Sequence, residues 1–204
     1  MMPYPDFFEQ VPVIRLHDPL AAFLGVSDDG LFEYRYVDAV KLAGHSCPTV
    51  AAAWNMTRLA LLALYENETP RRGEIRVALS GKSEEGVSGV IANIVTLITG
   101  AASEGGFKGI AGQFKRQNLL QFAAEIPFEL RFSRLDTGRT VDLACDTGAV
   151  PSAPEMPGLL RQCLAGKVEV STRQRFGRLW QERVRALLLE HGEDPRVFTV
   201  RLAD

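Results

Sequence analysis

The stretch Gly44-His45-Ser46-Cys47-Pro48 joins a tight turn that carries an imidazole and a thiol to a long apolar segment. Pro48 suits the first turn of a helix, where its missing N–H group is not needed. From there to about residue 66 nearly every residue is apolar, and alanine is frequent. A helix that is apolar nearly all round is buried, so this segment predicts the central helix of the fold.

The composition limits the class of protein. The chain has 204 residues, of which 46% are hydrophobic and 24% charged, as in ordinary globular proteins. A formal net charge of -2 argues against a nucleic-acid-binding surface. No apolar stretch reaches the roughly 20 residues of a membrane span, and residues 1–6 lack the pattern of a signal peptide. We therefore expect a cytoplasmic protein that binds neither nucleic acid nor a membrane.

Two hydrophobic patterns alternate along the chain, one typical of helices and one of strands. Further helices are predicted over residues 20–24, 38–42, 87–98, 158–164 and 176–191. Strands are predicted over residues 32–36, 74–79, 119–126, 128–132, 140–145 and 197–202, and residues 12–16 fit a strand or an extended arm. This order, with a hairpin turn over residues 136–139, predicts an α+β fold in which a mixed β-sheet packs against buried helices.

The turn and its helix resemble the Gly-His-x-Cys-Pro motif of the FmdE family, which takes its name from formylmethanofuran dehydrogenase. The predicted helix that ends in Thr99-Gly100, followed by Lys108-Gly109, is similar to the second half of the family pattern, and the resemblance covers roughly residues 38–125. It implies an FmdE-like α+β domain, which we assign to residues 1–150. It also implies a transition-metal site, with zinc as the expected metal, and a homodimer. The biochemical role of the family is poorly defined, so no dehydrogenase activity is implied.

The chain departs from the family pattern at three places. Ala43 stands where the family usually has a first histidine, and Val90 and Asn93 stand where many members carry a cysteine and an aspartate. The C-terminal cysteine-rich zinc module of some members is absent. We instead interpret residues 151–204 as a helical extension packed on the same domain.

His45 and Cys47 are the predicted metal ligands, because imidazole and thiolate bind zinc and other divalent transition metals. His17 is the first candidate for a third ligand, since the neighbouring Asp18 could orient its ring. Cys145 is the next candidate, whereas we interpret Cys163 as a core residue and His191 as structural. The alternative is that Cys47 packs as a small apolar side chain and His45 caps the turn.

The sequence leaves open whether the chain is an enzyme, and two other functions compete with metal binding. Cys47 could be the nucleophile of a metal-free enzyme, because a helix N-terminus favours the thiolate. The glycine-rich residues 100–109 and the polar side chains after them could instead hold a small anionic ligand. The candidate residues for that site, which could equally form a basic surface, are Lys108, Lys115, Arg116 and Asn118.

Overall fold

The computed structural model describes residues 4–203 and confirms an α+β fold. In chain order its main elements are β1 (Ile14–His17), α1 (Pro19–Phe23), β2 (Leu31–Tyr34), α2 (Tyr36–Ala43), α3 (Pro48–Tyr65), β3 (Ile75–Leu79), α4 (Ser88–Thr99), β4 (Leu120–Gln121), β5 (Leu130–Arg134), β6 (Thr140–Cys145), α5 (Met156–Leu164), α6 (Val170–Arg185) and β7 (Phe198–Ala203). None of the helices within residues 4–203 is long and apolar enough to cross a membrane.

Helix α3 is the centre of the core, as its apolar sequence predicts. Its alanines are buried along the first turns, and Trp54 and Met56 are fully buried. Small side chains let neighbouring elements approach closely, and α3 packs against α4 on one side and against the sheet on another. Two polar side chains on α3 find partners in the C-terminal segment: Asn55 donates to the Gly192 carbonyl, and Arg58 forms an ion pair with Glu193 at 3.2 Å.

The main sheet has five strands in the order β4-β3-β5-β6-β7. Strands β3 and β4 are parallel and the other neighbours are antiparallel, so the sheet is mixed, as predicted. Val77, Phe132 and Val141 lie opposite one another on three adjacent strands, and all three are fully buried. A second, two-stranded antiparallel sheet forms from β1 and β2.

Three elements differ from the sequence prediction. The strand predicted over residues 119–126 shortens to β4, because Asn118 and Ala123 adopt left-handed backbone conformations with φ of 60° and 52° on either side of it. Tyr36, predicted in a strand, begins α2 instead. The helix predicted over residues 176–191 begins earlier, at Val170, and continues beyond Arg185 into a π-helical turn over Ala186–Glu190.

The C-terminal residues contribute a strand as well as helices to the same core. Val184 and Leu187 are buried in the cluster that surrounds α3, together with Phe198 at the start of β7. Strand β7 pairs with β6 along its whole length and forms one edge of the sheet. The C-terminal residues therefore pack into the same hydrophobic core as the rest of the chain.

A buried carboxylate links three distant segments. Asp18, only 4% exposed, caps α1 by accepting from the Leu20 and Ala21 N–H groups. It also accepts from Arg72 at 2.9 Å and from Arg116 at 2.6 Å. Burial alone would raise the pKa of the Asp18 carboxyl, but the hydrogen bond from Arg72 and the charges of Arg116 and Arg72 lower it below the ordinary value.

Because a buried ion pair that loses one partner leaves an uncompensated charge, we expect Asp18→Ala to lower the free energy of unfolding by about 3–5 kcal/mol in urea denaturation. The matched control is Glu33→Ala, which removes exposed ion pairs with Arg15 and Arg35 and should cost less than about 1 kcal/mol. Equal losses in the two variants would contradict this role for Asp18.

The Asp18→Asn variant can keep the capping oxygen, but it removes the charge and the second oxygen, to which Arg72 donates. The pKa of Asp18 is lower in the folded than in the unfolded chain, so its charge stabilises the fold above the unfolded pKa. That contribution is lost as the pH falls through the folded pKa. The stability difference between wild type and Asp18→Asn should therefore shrink at acid pH.

Candidate metal centre

The turn between α2 and α3 depends on a glycine. Gly44 caps the C-terminus of α2; its φ of 74° is left-handed, and its N–H donates to the Val40 carbonyl at 2.8 Å. Glycine adopts this conformation without the strain that a side chain would add. The chain then needs only three residues, His45, Ser46 and Cys47, before Pro48 begins α3.

Cys47 is the N-cap residue of α3. Its Sγ accepts a hydrogen bond from the Val50 N–H at 3.4 Å, and the side chain is half-buried. N-cap side chains satisfy one of the unpaired N–H groups of a helix, and they sit at the positive end of its dipole. The thiol is therefore held beside a fixed helix end and remains partly accessible.

His45 is exposed, and a single hydrogen bond determines which of its ring nitrogens is free. Its Nδ1 lies 2.9 Å from the Ala43 carbonyl oxygen. A carbonyl can only accept, so this hydrogen bond requires the proton on Nδ1, and in the neutral ring Nε2 then carries the lone pair. Metal-binding histidines are commonly oriented by the same kind of contact from the second ring nitrogen.

Residues from α2 and α6 hold the middle of the turn. The Ser46 carbonyl accepts from Trp180 Nε1 at 2.9 Å and from Gln181 Nε2 at 3.1 Å. The Ser46 hydroxyl pairs with the hydroxyl of Tyr36 at 3.0 Å. Tyr36 is fully buried, and this burial raises its pKa well above the ordinary tyrosine value, so the phenol stays neutral. Sequence reasoning did not identify these contacts, because 134 residues separate Ser46 from Trp180.

His17 does not join His45 and Cys47 within one chain. Across the part of the chain that the structure describes, no three His, Cys, Asp or Glu side chains are grouped to hold a metal ion. His17 ends β1, where its backbone bonds to Pro70 and Arg72, and its buried Nδ1 has no partner among residues 4–203. Asp18, expected to orient His17, instead accepts from the two arginines and the α1 backbone.

The other cysteines and histidine occupy different surroundings. Cys145 is half-buried at the end of β6, where burial, with the charges of Glu129 and Asp146, raises its pKa to about 12. Cys163 lies half-buried on α5. His191 follows the π-helical turn, and its Nδ1 pairs with Asp194 at 3.1 Å, which fits a structural role.

The predicted anion-binding residues are only partly brought together. Lys115, Arg116 and Asn118 line one cleft, and exposed Lys108 is not among its lining residues. Arg72 and Arg76 also line this cleft and were not predicted, because they precede the glycine-rich segment by more than twenty residues. The adjacent pair Arg71-Arg72 before β3 is the sequence signal that could have indicated Arg72.

Comparisons with known proteins add no relative: no family model and no curated protein matches this chain. The resemblance to the FmdE family therefore stays a prediction that rests on the turn and the segment after α4. What the turn can do follows from its own chemistry, namely a free imidazole nitrogen two residues before a partly accessible thiol.

The different surroundings of Cys47 and Cys145 predict that the two thiols react at different rates. At pH 8 a thiol with the pKa of Cys145 has little thiolate, so we expect iodoacetamide to alkylate Cys145 at least about a hundredfold more slowly than Cys47. Mass spectrometry of peptides over a time course measures both rates in one sample, and Cys145→Ala confirms the assignment. Similar rates at Cys47 and Cys145 would contradict the difference between their surroundings.

Proposed function

We propose that this chain binds zinc or another divalent transition metal through His45 Nε2 and Cys47 Sγ. The observation that carries the proposal is the hydrogen bond from His45 Nδ1 to the Ala43 carbonyl, which leaves Nε2 of the neutral ring free, two residues before an N-cap thiol. Imidazole nitrogen and thiolate sulfur are the donors that zinc prefers in proteins. The resemblance to the FmdE motif supports the same ligand pair.

The rigidity of the turn favours binding. Three hydrogen bonds, which join Ser46 to Tyr36, Trp180 and Gln181, fix the residue between the two metal-donor residues. Ligands that are already held in place lose less conformational entropy when a metal binds. The C-terminal helix α6 thus contributes to the site without supplying a ligand.

Two protein donors leave coordination positions to be filled by water, by a bound small molecule or by a second copy of the chain. The homodimer that the resemblance implies is part of this proposal, and a symmetric pair of turns would offer two imidazoles and two thiolates. A zinc ion with an open position would supply Lewis-acid chemistry or an activated water. Metal delivery, storage or sensing would use the same ligands.

We expect purified wild-type protein to bind zinc and the single variants His45→Ala and Cys47→Ala to bind it at least about tenfold more weakly, because each removes one of two protein donors. Competition with a chromogenic chelator gives the affinities. The matched controls are His191→Ala and Cys163→Ala, which remove the same residue types elsewhere and should leave zinc binding unchanged.

Binding that survives both His45→Ala and Cys47→Ala, or that falls equally in the controls, would refute the site. The zinc content separates the two ways of completing it. One zinc per chain indicates completion by water or a small molecule, whereas one zinc per two chains, with zinc-dependent dimerisation in analytical ultracentrifugation, indicates completion by a second copy.

The second candidate function is that of a cysteine-dependent enzyme, favoured by the hydrogen bond from the Val50 N–H to Cys47 Sγ. A helix N-terminus stabilises a thiolate nucleophile without any metal. Alkylation distinguishes the candidates: saturating zinc protects Cys47 if it is a ligand. If Cys47 is a metal-free nucleophile, zinc has no effect.

A further inference from the structure

We propose that the cleft between the start of β3 and the segment before β4 binds a small molecule through a dianionic phosphate group. The cleft has a volume of about 490 Å³, within the range of small-molecule sites. Four cationic side chains line it, and they come from two separate segments of the chain: Arg72, Arg76, Lys115 and Arg116. It shares no lining residue with the turn at His45 and Cys47.

The charges around the cleft do not balance. Asp18 is the shared partner of Arg72 and Arg116, and Glu74 is paired with Arg71 at 2.6 Å. Within residues 4–203 neither Arg76 nor Lys115 has an ion-pair partner. The four cations of the cleft are therefore matched by two carboxylates, Glu74 in its lining and the shared Asp18, which leaves an excess of two positive charges. A dianion neutralises more of this excess than a monoanion can.

Arg116 provides a second, independent observation. Its side chain is 8% exposed, yet its Nη1 has no hydrogen-bond partner among the described residues. It lies so close to Gly73 that a Cβ at that position would be 1.3 Å from Nη1, so only glycine permits this placement. Nη1 is enclosed against Gly73 and Gly100, so an oxyanion in the cleft would act on Arg116 as a countercharge to its buried guanidinium, which shares one carboxylate with Arg72.

The rim of the cleft indicates that the ligand has an apolar part. Phe114 and Pro19 line the cleft, and Phe114 adopts a φ of 61°, which is rare for a bulky residue. Its ring packs against that of Phe23 with centroids 5.2 Å apart, and Phe23 is 63% exposed. An aromatic surface beside a cationic cleft suits a phosphate ester of a planar or apolar group better than inorganic phosphate.

Calorimetric titration with phenyl phosphate and with benzoate tests the site, since the two probes share an aromatic ring and differ in charge. At pH 8 and low salt we expect wild type to bind phenyl phosphate at least about tenfold more tightly than benzoate. The double variant Arg76→Gln/Lys115→Gln changes two exposed side chains and should weaken phenyl phosphate binding by at least about tenfold.

The matched control is Lys167→Gln/Arg173→Gln, which makes the same change in charge at exposed positions after α5 and in the first turn of α6 and should bind as wild type does. His45→Ala/Cys47→Ala should also bind phenyl phosphate normally, so this test is independent of the metal site. No binding at about 10 mM phenyl phosphate, equal affinity for benzoate, or equal losses in both double variants would overturn the proposal.

Discussion

The burial of α3 on several sides is the constraint on which the rest of the structure depends. A helix with almost no polar face must be covered by other elements, and here the sheet, α4 and the C-terminal residues cover it. The buried polar side chains Asn55 and Arg58 on α3 need partners. They find them at the Gly192 carbonyl and at the exposed Glu193, which fixes the C-terminal segment against the helix. The position of α6, and with it Trp180, follows from the covering of α3.

That constraint also fixes the candidate metal centre. The N-terminus of α3 carries Cys47 as its cap, so the thiol is as well positioned as the helix itself. Trp180 and Gln181 reach the same turn from α6 and hold the Ser46 carbonyl. A rigid core helix and a packed C-terminal helix thus meet at the one short turn that carries an imidazole and a thiol. Sites supported by rigid elements hold their donors more exactly than sites on long loops.

Local sequence patterns predicted the helices and strands that have a strongly periodic hydrophobic pattern or that pair with a segment close by in the sequence. The all-round apolar run identified α3, alternation identified β3, and the hairpin turn over residues 136–139 identified β6, because these signals need no knowledge of the distant chain. The strand before residue 126 was predicted too long, since left-handed residues such as Asn118 interrupt it and a hydrophobic pattern does not reveal them. Element type was therefore predictable where burial follows a simple period.

The partners of the site residues could not be predicted from the sequence, because they depend on contacts between residues far apart in the chain. Asp18 and His17 are adjacent, which suggested that the carboxylate orients the imidazole. In the fold, Arg116, 98 residues away, takes up one of its oxygens, and Arg72 takes the other. The cationic cleft has the same origin, because Arg72 and Arg76 meet Lys115 and Arg116 only through the pairing of β3 with β4. The residue types alone indicated which side chains could bind a metal or an anion. Which of them contact one another depends on the topology of the fold.

The measurement that tests the metal centre most directly is X-ray absorption spectroscopy at the zinc edge on zinc-loaded protein, with Cys47→Ala as the comparison. We expect wild type to show sulfur at about 2.3 Å and nitrogen at about 2.0–2.1 Å around the metal, and Cys47→Ala to lose the sulfur signal. A zinc environment of oxygen and nitrogen alone in the wild type, unchanged in Cys47→Ala, would contradict the assignment of this turn as the metal site.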